Sequence, residues 1–147
     1  MSFIQFVTFR IDEHLFGIDV LKVREINRVL EITPVQHAPD YVRGLVNLRG
    51  QVVTVFDMGI RLGLNKRNIS EESHNIVLKS EPVGLLVDSI GDVVQTDNDR
   101  IEPSPANVSG IEGDFMEGVV RLQNEIILIL STDKVLDYKP VTKKTNT

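Results

Sequence analysis

The chain contains no cysteine. That excludes a disulfide framework, a thiolate zinc site and a Cys-ligated iron–sulfur centre, and it fits a reducing compartment. Basic charge is also short: 16 Lys and Arg stand against 21 Asp and Glu, a net charge of −5. A nucleic-acid surface needs a basic footprint, so this balance argues against DNA or RNA as a partner. It argues weakly against docking on anionic lipid. No apolar run approaches the ~20 residues of a membrane-spanning helix. The N-terminus, MSFIQFVTFRIDEH, lacks the basic start, apolar core and small-residue cleavage site of a secretory signal. These absences point to the cytoplasm, with no membrane insertion. The sequons Asn68-Ile-Ser70 and Asn107-Val-Ser109 are then chance matches.

Catalytic motifs are missing as well. An active site needs a nucleophile, a base or a metal held by convergent groups. The three histidines, His14, His37 and His74, are far apart and form no HxH or HExxH spacing. Glycine-rich phosphate loops are absent. Asp12, Glu13, Glu71 and Glu72 sit in polar runs and read as solvated faces. Asp12-Glu13, Asp57 and Lys79 imitate a response-regulator receiver, but only about 20 residues separate Asp57 from Lys79, and the alternating helices of that fold are missing. No enzyme activity, cofactor or metal is expected.

What the chain does have is 147 residues, 41% of them hydrophobic, enough for one domain with a core of its own. β-Branched runs cut by Gly, Pro, Asn and Asp read as short strands. They are Ile4 to Ile11, Phe16 to Val20, Gly44 to Leu48, Val52 to Phe56, Ile76 to Lys79, Val83 to Val87, Val93 to Thr96, Gly118 to Leu122 and Ile126 to Leu130. Helical signal is thin. Val20, Val23 and Ile26 recur at spacing three, and Leu136 closes a short turn with Thr132 as N-cap. Asn65 to Asn75 and Asp97 to Gly113 read as loops, and 139–147 as a flexible tail.

The chain also resembles itself. VRGLVNLRGQVVTVFDM (Val42 to Met58) aligns without gaps on MEGVVRLQNEIILILST (Met116 to Thr132). Gly44 falls on Gly118, Leu48 on Leu122 and Val55 on Ile129. Gly50 falls on Asn124, and both residue types tolerate a left-handed turn. Upstream, FGIDVLKVREI (Phe16 to Ile26) aligns on VGLLVDSIGDV (Val83 to Val93), with Gly17 on Gly84. One unit therefore occurs twice, in the same order. The expected architecture is all-β, two small barrels packed together.

The segment PVQHAPDYVRGLVNLRGQVVTVFDMGIRLGL (Pro34 to Leu64), with Asn47-Leu48-Arg49-Gly50 at its centre, closely resembles the signature of the CheW-type coupling proteins of bacterial chemotaxis. The upstream FGIDVLKVREI, the downstream VGLLVDSIGDV and MEGVVRLQNEIILIL resemble that family too, so the likeness covers nearly the whole chain. It implies a single domain over 1–147, built from two SH3-like five-stranded barrels around a shared core, with one or two short helical turns. The first barrel would centre on 16–64 and the second on 76–136. It implies a non-enzymatic adaptor, monomeric when free. This adaptor bridges the cytoplasmic tip of methyl-accepting chemoreceptors and the regulatory domain of the histidine kinase CheA. Receptor contacts carried over from the family fall on Val23, Glu25, Gly44 and Arg49. Asn47, Gly50, Gly118 and Asn124 would shape the hairpins. Kinase contacts would run along the first barrel's edge.

The residues themselves leave alternatives open. Arg49 offers a five-donor fork to a partner helix, or pins its own hairpin, for instance through Glu25, and the two are compatible. Val23 anchors a partner or fills the core. Gly44 is most simply explained by close backbone packing, and Asp57 by capping the turn that follows it. Where the family commonly has Pro, this chain has Thr54, whose N–H would alter pairing at a sheet edge.

Overall fold

The computed structural model describes residues 2–29 and 31–137. The expected tail, 139–147, lies outside the described residues. The described residues fold into two five-stranded sheets and one small hairpin. The first strands are β1 (Phe3–Ile11) and β2 (His14–Asp19), followed by one 3₁₀ turn, Val20–Lys22. Next come β3 (Val23–Arg28), β4 (Val42–Leu48), β5 (Gln51–Asp57) and the short helix α1 (Met58–Arg61). After these come β6 (His74–Leu78), β7 (Val83–Val87) and β8 (Ser89–Asp97). The hairpin is β9 (Asn107–Val108) with β10 (Ile111–Glu112). The described chain ends with β11 (Met116–Arg121), β12 (Ile126–Leu130) and α2 (Thr132–Leu136).

The sheets have one topology. The central sheet runs β4-β5-β7-β6-β3 and the terminal sheet β11-β12-β2-β1-β8. Each contains a single parallel pair, β5 with β7 and β12 with β2. Val55 faces Gly84 in one pair and Ile129 faces Gly17 in the other. These are the residues that the internal alignment superposes, so the repeat holds to the residue. Both sheets carry a β-bulge at the aligned glycines, between Val42 and Gly44 and between Met116 and Gly118. Both are closed by an isolated bridge, Thr33 to Leu45 and Glu102 to Val119. Each bridge brings its sheet round into a small SH3-like barrel.

The barrels do not divide the chain as 16–64 and 76–136. Strand β2 belongs with β11 and β12, and β6 and β7 belong with β3 to β5. Each repeat unit thus starts in one barrel and finishes in the other. The chain crosses between barrels at Val20–Lys22 and again at Asp88 alone, between β7 and β8.

Among the described residues, apolar side chains sort into three clusters. Val46, Leu48, Val53, Val55, Val77 and Leu86 fill the central barrel. Phe6, Val120, Ile127 and Ile129 fill the terminal one. The largest cluster lies between them, with Phe9, Phe16 and Ile18 from one sheet meeting Phe56, Ile76 and Leu85 from the other. Phe9 and Phe16 stack at 5.5 Å between ring centroids.

Several local expectations are corrected. Val23 to Ile26 is extended, because those residues pair with β6; only Val20–Lys22 turns, capped by the Asp19 carboxylate on the Leu21 N–H at 2.9 Å. The N-cap of α2 is Ser131, whose hydroxyl accepts the Lys134 N–H, and Thr132 is the first helical residue. Thr54 is not at an edge: β5 lies between β4 and β7, and the Thr54 N–H donates to Pro82 O at 2.9 Å.

Candidate functional site

The β4–β5 hairpin is closed by Arg49-Gly50, with φ of +52° and +87°. Two positive φ angles define the type I′ turn that matches strand twist. Asn47 supports it, its Oδ1 accepting the Gly50 N–H at 2.9 Å. The aligned hairpin is built differently. Leu122 N–H donates to Glu125 O at 2.8 Å, and Asn124 does not take a positive φ. The left-handed requirement therefore belongs to the first hairpin alone, and it falls on Arg49 as well as on Gly50. Arginine is an uncommon choice for that backbone.

The Arg49 side chain crosses to β3. Its Nη2 donates to Glu25 Oε1 at 2.5 Å. Glu25 also accepts from Asn27 Nδ2 at 3.3 Å and, through Oε2, from Arg24 Nη2 at 3.2 Å. The hydrogen bond from Arg49, then that from Asn27, holds the Glu25 carboxyl below the usual glutamate range, and the same pairing raises Arg49. Glu25 is sheltered at 16% side-chain exposure, whereas Arg49 is 70% exposed. An exposed pair of this kind adds little stability. Its effect is positional: the carboxylate orients the guanidinium and leaves most of the fork facing solvent.

The other candidates sit differently. Val23 lies two residues before Glu25, across a β-bulge, and packs half-buried against the shared core. Gly44 is buried at the far end of β4 from Arg49, with φ of +146°, and a Cβ there would lie 2.2 Å from Thr33 O. Its close packing is thus internal. Gly118 repeats it, with a built Cβ 2.7 Å from Glu102 O. A groove of about 350 Å³ floored by Leu15, Val119, Ile126 and Leu128 lies on the terminal barrel, away from Arg49.

Sequence reading missed a second charged cluster. Asp57, fully buried, caps α1 through Oδ1 on the Ile60 N–H at 3.0 Å, as expected. Its Oδ2 also accepts from Arg43 Nη1 and from the Arg67 N–H, both at 2.9 Å. Arg67, 5% exposed, reaches Asp12 and Asp88. Asp12 is therefore not merely solvated; the hydrogen bond from Arg67 lowers its pKa. These residues lie at positions 12, 43, 57, 67 and 88, a scatter with no motif spacing. Among the described residues, no cluster of His, Cys, Asp or Glu is arranged to hold a metal, and no helix is long and apolar enough to cross a membrane.

Two pseudo-equivalent barrels around one core define a double SH3-like barrel domain. Comparison with known proteins gives its family. Residues 5–139 match the model of the CheW-like domain. The chain is 35% identical over 133 residues to chemotaxis protein CheW of Rhizobium meliloti, covering 89% of this chain and 86% of that one. It is 28% identical over 148 residues to chemotaxis protein CheW of Treponema pallidum, covering 97% and 87%. The crystal structure of scaffolding protein TtCheW from Thermoanaerobacter tengcongensis superposes with a TM-score of 0.86 at 30% identity, covering 95% of this chain and 91% of that one. The chain belongs to the CheW-like family, and it is a chemotaxis scaffold without enzyme activity.

Proposed function

We propose that this protein works in the cytoplasm, coupling the tips of methyl-accepting chemoreceptors to the regulatory domain of the kinase CheA. The supporting observation is the Arg49 fork, held by Glu25 at the tip of a type I′ turn and 70% exposed. A guanidinium so presented suits a helical surface rich in carboxylates and carbonyls. In this reading Arg49 and Glu25 belong to the receptor-facing surface, and Val23 adds apolar contact beside them. Gly44 acts indirectly, by letting the central barrel close. Free protein is monomeric.

The test mixes this protein with a CheA regulatory domain and, separately, with a receptor cytoplasmic fragment, then assays kinase autophosphorylation in the complete mixture. Binding to both, with activation that Arg49→Ala weakens while circular dichroism stays native, supports the reading. Binding to neither partner overturns it.

A further inference from the structure

The two chain crossings between barrels are unequally held. At Val20–Lys22 the crossing is a single 3₁₀ turn with Leu21 73% exposed; Lys22 O accepts the Lys79 N–H at 3.0 Å, and Lys22 Nζ makes only a long, exposed pair with Glu117 at 3.8 Å. At Asp88 it is one residue, fixed on several sides. Its N–H donates to Arg10 O at 3.0 Å, and its Oδ2 accepts the Asp12 N–H at 2.7 Å and Arg67 Nη1 at 3.0 Å. Arg67 comes from the segment after α1, which belongs to the central barrel. Asp12 sits in the β1–β2 turn of the terminal barrel, at φ of +56°.

The Arg67 guanidinium is saturated. Nε donates to Asn65 O at 3.1 Å. Nη1 donates to Asp12 Oδ1 at 2.9 Å and to Asp88 Oδ2. Nη2 donates to Asp12 Oδ2 at 3.3 Å and to Asn65 O at 2.8 Å. The side chain passes so close over Gly59 that a Cβ there would lie 2.2 Å from Nε. A planar five-donor fork with every N–H engaged has one orientation. It fixes its partners relative to one another, and here those partners lie on different barrels. The same segment makes a second tie: Arg61 donates to the carbonyls of Val135 at 2.9 Å and of Lys134 at 3.1 Å, in α2.

We propose that Arg67 is a positioning residue for coupling: it locks the angle between the barrels, so that surfaces on both are presented together. Resting on the adaptor reading above, this assigns Arg67 no contact with either partner. A loosened lock leaves each binary contact intact and degrades what needs both at once.

The test uses full-length Asp12→Asn and the double variant Asp12→Asn/Asp88→Asn. Asn keeps the size of Asp and tolerates positive φ. The shared core and the Arg61 tie remain; circular dichroism checks that both variants stay folded, and the milder Asp12→Asn carries the test if the double variant unfolds. Because the chain has no cysteine, spin labels at Arg28→Cys and Gln95→Cys report the inter-barrel distance by pulsed electron resonance. Binary affinities for the receptor fragment and the kinase regulatory domain are measured alongside activation of the ternary mixture. The expected result is a broadened or shifted distance distribution in the double variant, with activation down about fivefold and little change in either binary affinity. An unchanged distance distribution overturns the inference, whatever the binding results. So does full activation in the double variant. Wild-type protein that binds neither partner overturns the adaptor reading instead, and the distance measurement then still reports on the lock by itself.

Discussion

Replacing Gly44 by alanine tests whether this glycine serves the barrel or the partner. The built Cβ meets Thr33 O at 2.2 Å and Thr33 C at 2.7 Å, both backbone atoms. Those atoms belong to the bridge that closes the central barrel, in which Thr33 and Leu45 exchange two hydrogen bonds of 2.8 Å. The φ of +146° lies where alanine is strained by about 1–3 kcal/mol. Each lost backbone bond adds about 1 kcal/mol, so Gly44→Ala should cost about 3–5 kcal/mol. The internal repeat supplies a matched control. Gly118 sits on the equivalent bulge, without a positive φ. Its built Cβ meets Glu102 O and the Ile101 side chain at 2.7 Å. With no φ strain and a milder clash on its own bridge carbonyl, Gly118→Ala should cost about 1–2 kcal/mol. Urea unfolding separates the two: with a slope of roughly 2 kcal/mol/M, a 2 kcal/mol gap moves the midpoint by about 1 M. In Gly44→Ala the Thr33 and Leu45 amides should also lose hydrogen-exchange protection before the rest of the sheet. Equal costs at the two glycines, or retained protection at Thr33 and Leu45, would refute the argument that Gly44 acts through closure. Weaker receptor binding by a fully stable Gly44→Ala would point to direct contact instead.

Other predictions follow from the charged residues. Arg49→Asn places in the first turn position a residue that the type I′ backbone prefers, so its melting temperature should equal or exceed wild type while receptor-dependent activation falls; calorimetry and the kinase assay decide it. Asp57→Asn removes a fully buried carboxylate on which Arg43 and two backbone N–H groups converge. It should cost about 3–5 kcal/mol and lower the melting temperature by about 10 °C. Asp12 and Glu25 are both held below their ordinary pKa, chiefly by hydrogen bonds from Arg67 and Arg49. Their stabilisation is complete above the ordinary carboxylate pKa of about 4 and is lost as pH falls through the folded values. Denaturant titrations below pH 5 should show a shallower acid limb in Asp12→Asn than in wild type. The effect stays small because the Asp12 side chain is 48% exposed and solvent screens it.

Much of the fold was legible in sequence because its signals are local. Strand existence follows from β-branched runs between turn residues, and the hairpins from their loops. The repeat was readable because the same packing constraint recurs: Gly44 and Gly118 must each admit a neighbouring carbonyl. Turn type at Asn124 was misread because the alignment carries loop length and residue class, but not φ. The extended start of β3 was misread because spacing three over Val20, Val23 and Ile26 fits a helical turn as well as a strand with a bulge. The Glu25–Arg49 pair is legible as an alternative because a hairpin-tip guanidinium needs an acceptor and Glu25 offers a carboxylate. The Arg67 network left no trace: its members are far apart in sequence, and its geometry exists only after both barrels have formed.

The insertion of one barrel into the other is hidden for a related reason, and it bears on function. Parallel pairing of β12 with β2 joins the two ends of the described chain, with Ile129 beside Gly17. No local pattern announces a partner more than 100 residues away. Because of that pairing, the terminal barrel cannot be cut out as a continuous segment: β1 and β2 complete the barrel that β11 and β12 finish, and the central barrel, β3 to β7, is inserted between them. Unfolding one barrel also strips the shared core from the other, so the chain should unfold as one cooperative unit. An adaptor gains from this arrangement. Two separately folded barrels on a linker would bind two partners while transmitting little between them. Here one barrel is inserted in the other, the two share a core, and Arg61 and Arg67 tie them together.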